Sequence, residues 1–188
     1  MSNSLRGQCL VAAKSLRDPH FYKTVVLLLE HGAQGATGLV LNRPSSVRVS
    51  SALSGHFNIP DSDEAVFIGG PVEPTAMVML HDSNEIGCSE SSPAAGVFVG
   101  GSAESFERVL TPDDNDDSAI RYRVFAGYSG WSAEQLDGEI ERGDWLLHAG
   151  SHSLVFETDP YEVYEVALEQ VFKADSLMPY RVKDASLN

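Results

Sequence analysis

The chain has 188 residues and a formal net charge of −14, with 27 acidic against 13 basic residues. That length suits one domain able to bury a core without help from disulfides or metal. The charge opposes contact with phosphate backbones and anionic lipid, so nucleic-acid and membrane-surface partners are disfavoured. No stretch reaches ~18 apolar residues, and Lys14 interrupts the short apolar run at the start, so neither a membrane span nor a secretory leader is expected. The default location is a reduced cytoplasm, with Cys9 and Cys88 as free thiols in no metal-binding spacing.

In chain order, "QCLVAA" (8–13) reads as a buried strand, and "LRDPHF" breaks it. "KTVVLLLEH" (23–31) and "GLVLNRP" (38–44) read as two strands of a hairpin joined by a glycine-rich turn. "VSSALSGHF" is a short helix or turn. "EAVFIGGPV" (64–72) is a strand stopped by Gly-Gly-Pro, and "TAMVMLHD" (75–82) is another strand. "GVFVGGSAESFERVL" (96–110) predicts strand, turn and helix, with Ser102 as N-cap.

"TPDDNDDSA" (111–119) is an acidic loop, and "IRYRVFAG" (120–127) alternates as a half-buried strand does. Ser132 and Gln135 have the spacing of a capping box, with Trp131 and Leu136 as its hydrophobic staple. Ala133, Leu136 and Ile140 would share the helix's apolar face, and Gly143 would end it. "DWLLHA" (144–149) and "SLVFE" (153–157) read as strands. Asp159, Pro160 and Glu162 open a last helix with Tyr164, Leu168, Val171 and Phe172 as its apolar stripe. Residues 175–188 read as a loose tail after a single domain over 5–174. Strands that follow one another directly favour an α+β fold.

Few segments carry chemistry. "GYSGW" resembles a nucleophile elbow, but Trp131 stands where the second glycine belongs. A hydrolase using Ser129 with His148 or His152 is therefore one reading, and a structural corner the stronger one. "GAQGATG", with glycines at 32, 35 and 38, leads into a strand rather than a helix and offers no phosphate loop. Glu30 and His31 are adjacent and point to opposite strand faces. His148 and His152 are separated by Gly150, and "DDNDD" lacks the pattern of a calcium loop, so no metal site is expected. Nor is a cofactor expected. Glu73, Asp82 and Glu85 show no pairing by spacing. Arg43, at a strand end before Pro44, could hold an anion or a local acid.

Taken together, "GQCLVAAKSLRDPHFYKTVVLLLEHGAQGATGLVLNRPS", "VFIGGPVEP", "GYSGWSAEQLDGEIERGDWLL" and "FETDPYEVYEVAL" resemble the YqgE/AlgH family of bacterial proteins. Lys14, where that family carries proline, and the stretch 83–120 depart from the pattern. The resemblance implies a single compact domain with a mixed, branched, partly barrel-like sheet and surrounding helices. It implies a cytoplasmic bacterial protein with no assigned activity, one branch being named as a transcriptional regulator.

The expected function is a non-enzymatic binding or regulatory protein acting through a protein partner or a small ligand. Polar and turn residues at strand ends within the motifs form the candidate surface: Glu30, His31, Asn42 and Arg43, then Gly69, Gly70 and Pro71, then Tyr128, Trp131 and Gln135. No residue is assigned a catalytic role. Arg43 is expected to meet an acid or anion outside its hairpin, beside the turn at 69–71.

Overall fold

The computed structural model describes residues 4–60, 63–87, 91–111 and 120–177; of Gly87, Ser91 and residues 175–177 only the backbone is described. The strands are β1 (Gln8–Ala12), β2 (Val25–Gly32), β3 (Gly35–Val40), β4 (Pro44–Arg48), β5 (Ala65–Ile68), β6 (Val72–His81), β7 (Ser91–Ala94), β8 (Val97–Gly100), β9 (Tyr122–Ser132) and β10 (Trp145–Ala149). The helices are α1 (Val49–Leu53), α2 (Asn84–Gly87), α3 (Ala103–Leu110), α4 (Gln135–Glu141) and α5 (Val163–Leu177), with a π-helical turn over Ser153–Glu157. The fold is α+β, a curled, largely antiparallel sheet with helices packed against it.

The sheet runs β10-β1-β2-β3-β9-β6-β8-β7. Its branch is at β9. Residues 129–132 of that strand pair with β3, residues 124–126 pair in parallel with β5, and β6 pairs antiparallel along 122–128. Among the described residues β4 pairs with β5 alone.

Side-chain alternation along a strand sends neighbours to opposite faces, and each face here has its own core. Leu80 and Phe125 enter the larger core with β1, β2 and α5, whereas Met79 and Val124 enter the smaller one with α1 and α3. Val25, Val26, Leu27 and Leu28 are all fully buried, so β2 is covered on both faces. That is why its sequence is a continuous apolar run rather than an alternating one. In α5, Val163, Tyr164, Ala167, Leu168 and Val171 are buried at helical spacing.

The β2–β3 hairpin forms as expected, closed at Gly32 and Gly35. A bulge at Leu29 places Glu30 opposite Thr37, one residue from the expected partner. Ser102 caps α3 by accepting from the Ser105 amide at 3.1 Å. Gly143, at φ 80°, ends α4, with its amide donating to Ile140.

Several expectations are corrected. "SLVFE" is not a strand. The Thr158 amide and hydroxyl both donate to the Ser153 carbonyl, at 2.9 and 3.0 Å, and close a π-turn that buries Leu154 and Val155 together. Helix α4 begins at Gln135 rather than after Ser132, because Glu134 takes a left-handed φ of 62°. Half of the capping box survives, since Gln135 Oε1 accepts from the Ser132 amide at 3.0 Å. Ala133 is exposed and outside the helix. Asp159 to Glu162 make a turn that precedes α5, and Phe172 lies on that helix's exposed side. Helix α5 continues to Leu177, into the segment read as tail. Pro44 opens β4 rather than closing a strand. The acidic run 112–119, Cys88 and residues 178–188 lie outside the described residues.

Candidate functional site

The candidate surface read from the motifs does not gather in one concavity. Asn42 fastens the start of β2. Its Oδ1 accepts from the Val25 amide at 3.0 Å, and its Nδ2 donates to the Lys23 carbonyl at 2.9 Å. Arg43 donates from Nη2 to the Tyr22 carbonyl at 2.8 Å. It meets no acid among the described residues and sends its guanidinium to the 18–24 loop, not to the 69–71 turn. Its own carbonyl accepts from the Ile68 amide at 2.8 Å, so the Arg43 backbone adjoins β5 while its guanidinium is fastened to Tyr22.

Gly69 and Gly70 lie against β9. A Cβ on Gly69 would sit 2.2 Å from the Gly127 carbonyl oxygen, and one on Gly70 would sit 2.3 Å from Tyr128 backbone atoms. These glycines allow a close backbone approach. Pro71 is exposed beside them. Tyr128 donates its hydroxyl to Glu73 Oε1 at 3.3 Å, and burial, then Glu73, raises the phenol pKa. Ser129 is fully buried in an extended strand and donates to the Gly69 carbonyl at 3.1 Å. No histidine bonds it among the described residues, so the nucleophile-elbow reading loses its geometry.

Trp131 and Gln135 converge on Glu139. Gln135 Nε2 reaches Glu139 Oε1 at 3.1 Å, and the Trp131 indole N–H reaches Oε2 at 2.9 Å. Trp131 stacks on Phe21, with centroids 5.8 Å apart, and meets Trp145 edge-on at 6.1 Å. This cluster is a buried fastening between β9, β10 and the 18–24 loop. Glu30 is exposed at the bulge. The His31 ring, 5% exposed, accepts at Nδ1 from the Leu5 amide at 3.1 Å. Its Nε2 faces Asp137 Oδ1 at 3.7 Å beside a cavity of about 440 Å³.

A larger cleft, about 560 Å³, opens elsewhere, between the start of β9 and the π-turn. Arg121, just before β9, and Arg123, on it, are two apart and both line it. Arg123 is 8% exposed, and its Cζ lies 4.9 Å from the Phe67 ring centroid. It donates from Nη1 to the Leu41 carbonyl at 3.3 Å and from Nη2 to the Thr158 carbonyl at 3.0 Å. Those are its polar partners among the described residues, so more than half of its five N–H donors remain unused. Burial pulls its pKa below the ordinary arginine value, and the charges of Glu64 and Asp159 push it back up.

At the cleft's mouth Arg121 Nη1 pairs with Glu157 Oε1 at 2.6 Å. Asp82 ties the end of β6 to this group, accepting from the Arg121 amide at 2.9 Å and meeting His152 Nε2 at 3.0 Å. His152 Nδ1 lies 3.6 Å from Glu157. In the sequence the two arginines look like the polar half of an alternating strand, which hides the cleft. Residues at i and i+2 of extended chain share one face, and the spacing of Arg121 and Arg123 is the signal the sequence offers.

Among the described residues no group of three or more His, Cys, Asp or Glu side chains could hold a metal ion. No described helix is long and apolar enough to cross a membrane.

The AlgH-like family model matches residues 9–174. A UPF0301 protein of Chlorobaculum tepidum is 38% identical over 158 residues, covering 83% of this chain and 80% of the relative. A UPF0301 protein of Myxococcus xanthus is 32% identical over 162 residues, covering 85% and 86%. In structure, the chain is similar to the AlgH protein from Pseudomonas aeruginosa, with a TM-score of 0.72, 25% identity and 97% and 99% of the two chains covered. Protein DIP2367 from Corynebacterium diphtheriae shares the fold at a TM-score of 0.71 and 22% identity, over 90% and 88% of the chains. Family model, sequence relatives and fold agree, and the chain belongs to the AlgH-like family.

Proposed function

We propose that this protein is a non-enzymatic binding protein, regulatory in role, that acts through a small ligand or a protein partner, and that the Arg123 cleft is where the ligand sits. The observation that carries this reading is Arg123 itself, buried, lining about 560 Å³ of open space, with unused donors and, among the described residues, only backbone carbonyls as hydrogen-bond partners. A buried guanidinium with free N–H groups favours an acid group on a ligand, because leaving such donors dry is costly. The volume falls within the ordinary range of small-molecule sites.

Direct action on DNA has less support. Of the described cations, Lys23, Arg48, Arg121, Arg142 and Lys173 each face a carboxylate. Those neighbours cancel the charge that phosphate contact needs.

The test is equilibrium dialysis of the folded protein against a bacterial small-molecule extract, read by mass spectrometry and by amide NMR. Retention of an acid-bearing compound that shifts the resonances of residues 120–123 and 156–160 supports the reading. Retention of no compound, or of one that shifts only other residues, overturns it.

A further inference from the structure

The charges lining the same cleft narrow its ligand, on the condition that the cleft is the binding site proposed above. Five side chains charged at neutral pH line it: Glu64, Arg121, Arg123, Glu157 and Asp159. Arg121 and Glu157 neutralise one another at 2.6 Å. What remains is one cation, Arg123, against two carboxylates, Glu64 and Asp159.

Neither carboxylate is saturated. Asp159 accepts from the Tyr161 amide through Oδ1, at 2.9 Å, which leaves Oδ2 available. The Glu64 side chain is exposed and forms no bond among the described residues. Both act electrostatically on Arg123, so all three charges share one field.

A simple anion would gain Arg123 but bring negative charge towards two carboxylates. A simple amine would gain the carboxylates and leave the buried N–H donors of Arg123 unused. A molecule carrying both groups satisfies each side of the cleft. Phe67, Phe156 and Ile120 also line the cleft and offer apolar surface to an aliphatic stem.

We infer that the cleft binds an amino-acid-like zwitterion, its carboxylate on Arg123 and its ammonium towards Asp159 and Glu64. Because the cleft keeps one excess negative charge, a zwitterion with a second cationic group binds more tightly than a neutral one. Lysine and arginine have that form.

The experiment titrates the folded protein with L-lysine, L-alanine, L-glutamate, hexanoate and 1,5-diaminopentane, read by calorimetry and by amide shifts of residues 120–123 and 156–160. L-Lysine is expected to bind at those residues at least about tenfold more tightly than hexanoate, L-glutamate or the diamine, with L-alanine between. Glu64→Gln, an exposed change that leaves folding intact, is expected to weaken L-lysine several-fold and hexanoate little.

If hexanoate matches L-lysine at those residues, the zwitterion is overturned while the cleft stands as a site for acids. If the diamine matches it, the carboxylate contact with Arg123 is overturned. Failure of all five probes to shift those residues also overturns the inference. The dialysis experiment above then decides separately whether the cleft binds another acid.

Discussion

Trp131 and Trp145 donate their indole N–H groups to one oxygen, Oε2 of Glu139, at 2.9 and 2.8 Å. One carboxylate on α4 thereby joins β9 to β10, two strands that do not pair with each other in the sheet, and Gln135 holds its other oxygen. Trp131 was expected as a staple on Leu136; both residues are buried in the larger core, but the stacking partner is Phe21.

The indole should therefore matter for folding. Trp131→Ala is expected to cost about 3–5 kcal/mol, from the lost packing and the cavity left behind. Glu139→Ala should cost about 2–4 kcal/mol, because it strands two buried donors. Urea unfolding monitored by circular dichroism checks both, and an unchanged midpoint for either variant would refute the assignment.

Cys9 is fully buried in β1, and burial raises its thiol from the ordinary value near 9.0 to about 12. A raised acid pKa means that the neutral form is the one folding favours. Its contribution is complete below pH ~9 and is lost as pH rises towards ~12. Wild type should thus lose more stability than Cys9→Ala between those pH values. Native Cys9 should also resist iodoacetamide at pH 8 until denaturant is added, which mass spectrometry of the tryptic peptide would show.

The glycines at the β5–β9 junction should not tolerate a methyl group. Gly69→Ala places a Cβ 2.2 Å from the Gly127 carbonyl oxygen and is expected to cost roughly 3 kcal/mol or more. Gly32→Ala meets nothing within 4 Å and should stay within about 0.5 kcal/mol of wild type. Equal melting temperatures for the two variants would contradict the packing described.

Asn42 uses both ends of its amide on backbone groups. Asn42→Asp keeps the acceptor for Val25 but sets an acceptor against the Lys23 carbonyl. It is expected to cost about 1–3 kcal/mol, and faster amide exchange at Val25 would locate the effect.

A gel-shift titration at ~0.15 M salt should give no sequence-specific complex with duplex DNA below micromolar concentration. A sub-micromolar specific complex would reverse the reading of the charge.

Apolar patterning made most strands legible. The run at Val25–Leu28 reads as a buried strand and is one covered on both faces. "IRYRVF" reads as a half-buried alternating strand, whereas β9 instead buries Arg123, Val124 and Phe125 in succession, because a core lies on each of its faces. "SLVFE" misled because a five-residue apolar run looks the same as a strand or a helical turn; the Ser153 carbonyl, closed by Thr158, decided it. The short β4, β7 and α2 have too few residues for any periodicity.

The candidate site was less legible than the fold. Asn42, Gly69, Gly70 and Trp131 stood out because their shapes are demanding, and the demand is met by neighbouring backbone or Glu139. Arg123 did not stand out, since an arginine's burial depends on what distant segments bring over it. Leu41, Phe67 and Thr158 come from three separate parts of the chain.

The pairing of β1 with β10 sets residues 8–12 beside residues 145–149. During synthesis the first strand therefore waits for more than a hundred further residues before its outer edge is covered. β9, which joins both cores, emerges only shortly before β10. Until then the apolar β1–β2–β3 ribbon has nothing to close on, and its edges invite pairing with another nascent chain. Folding is accordingly expected to be slow, late and all at once rather than piecewise from the N-terminus, with a window near residue 150 of synthesis in which chaperone contact matters most.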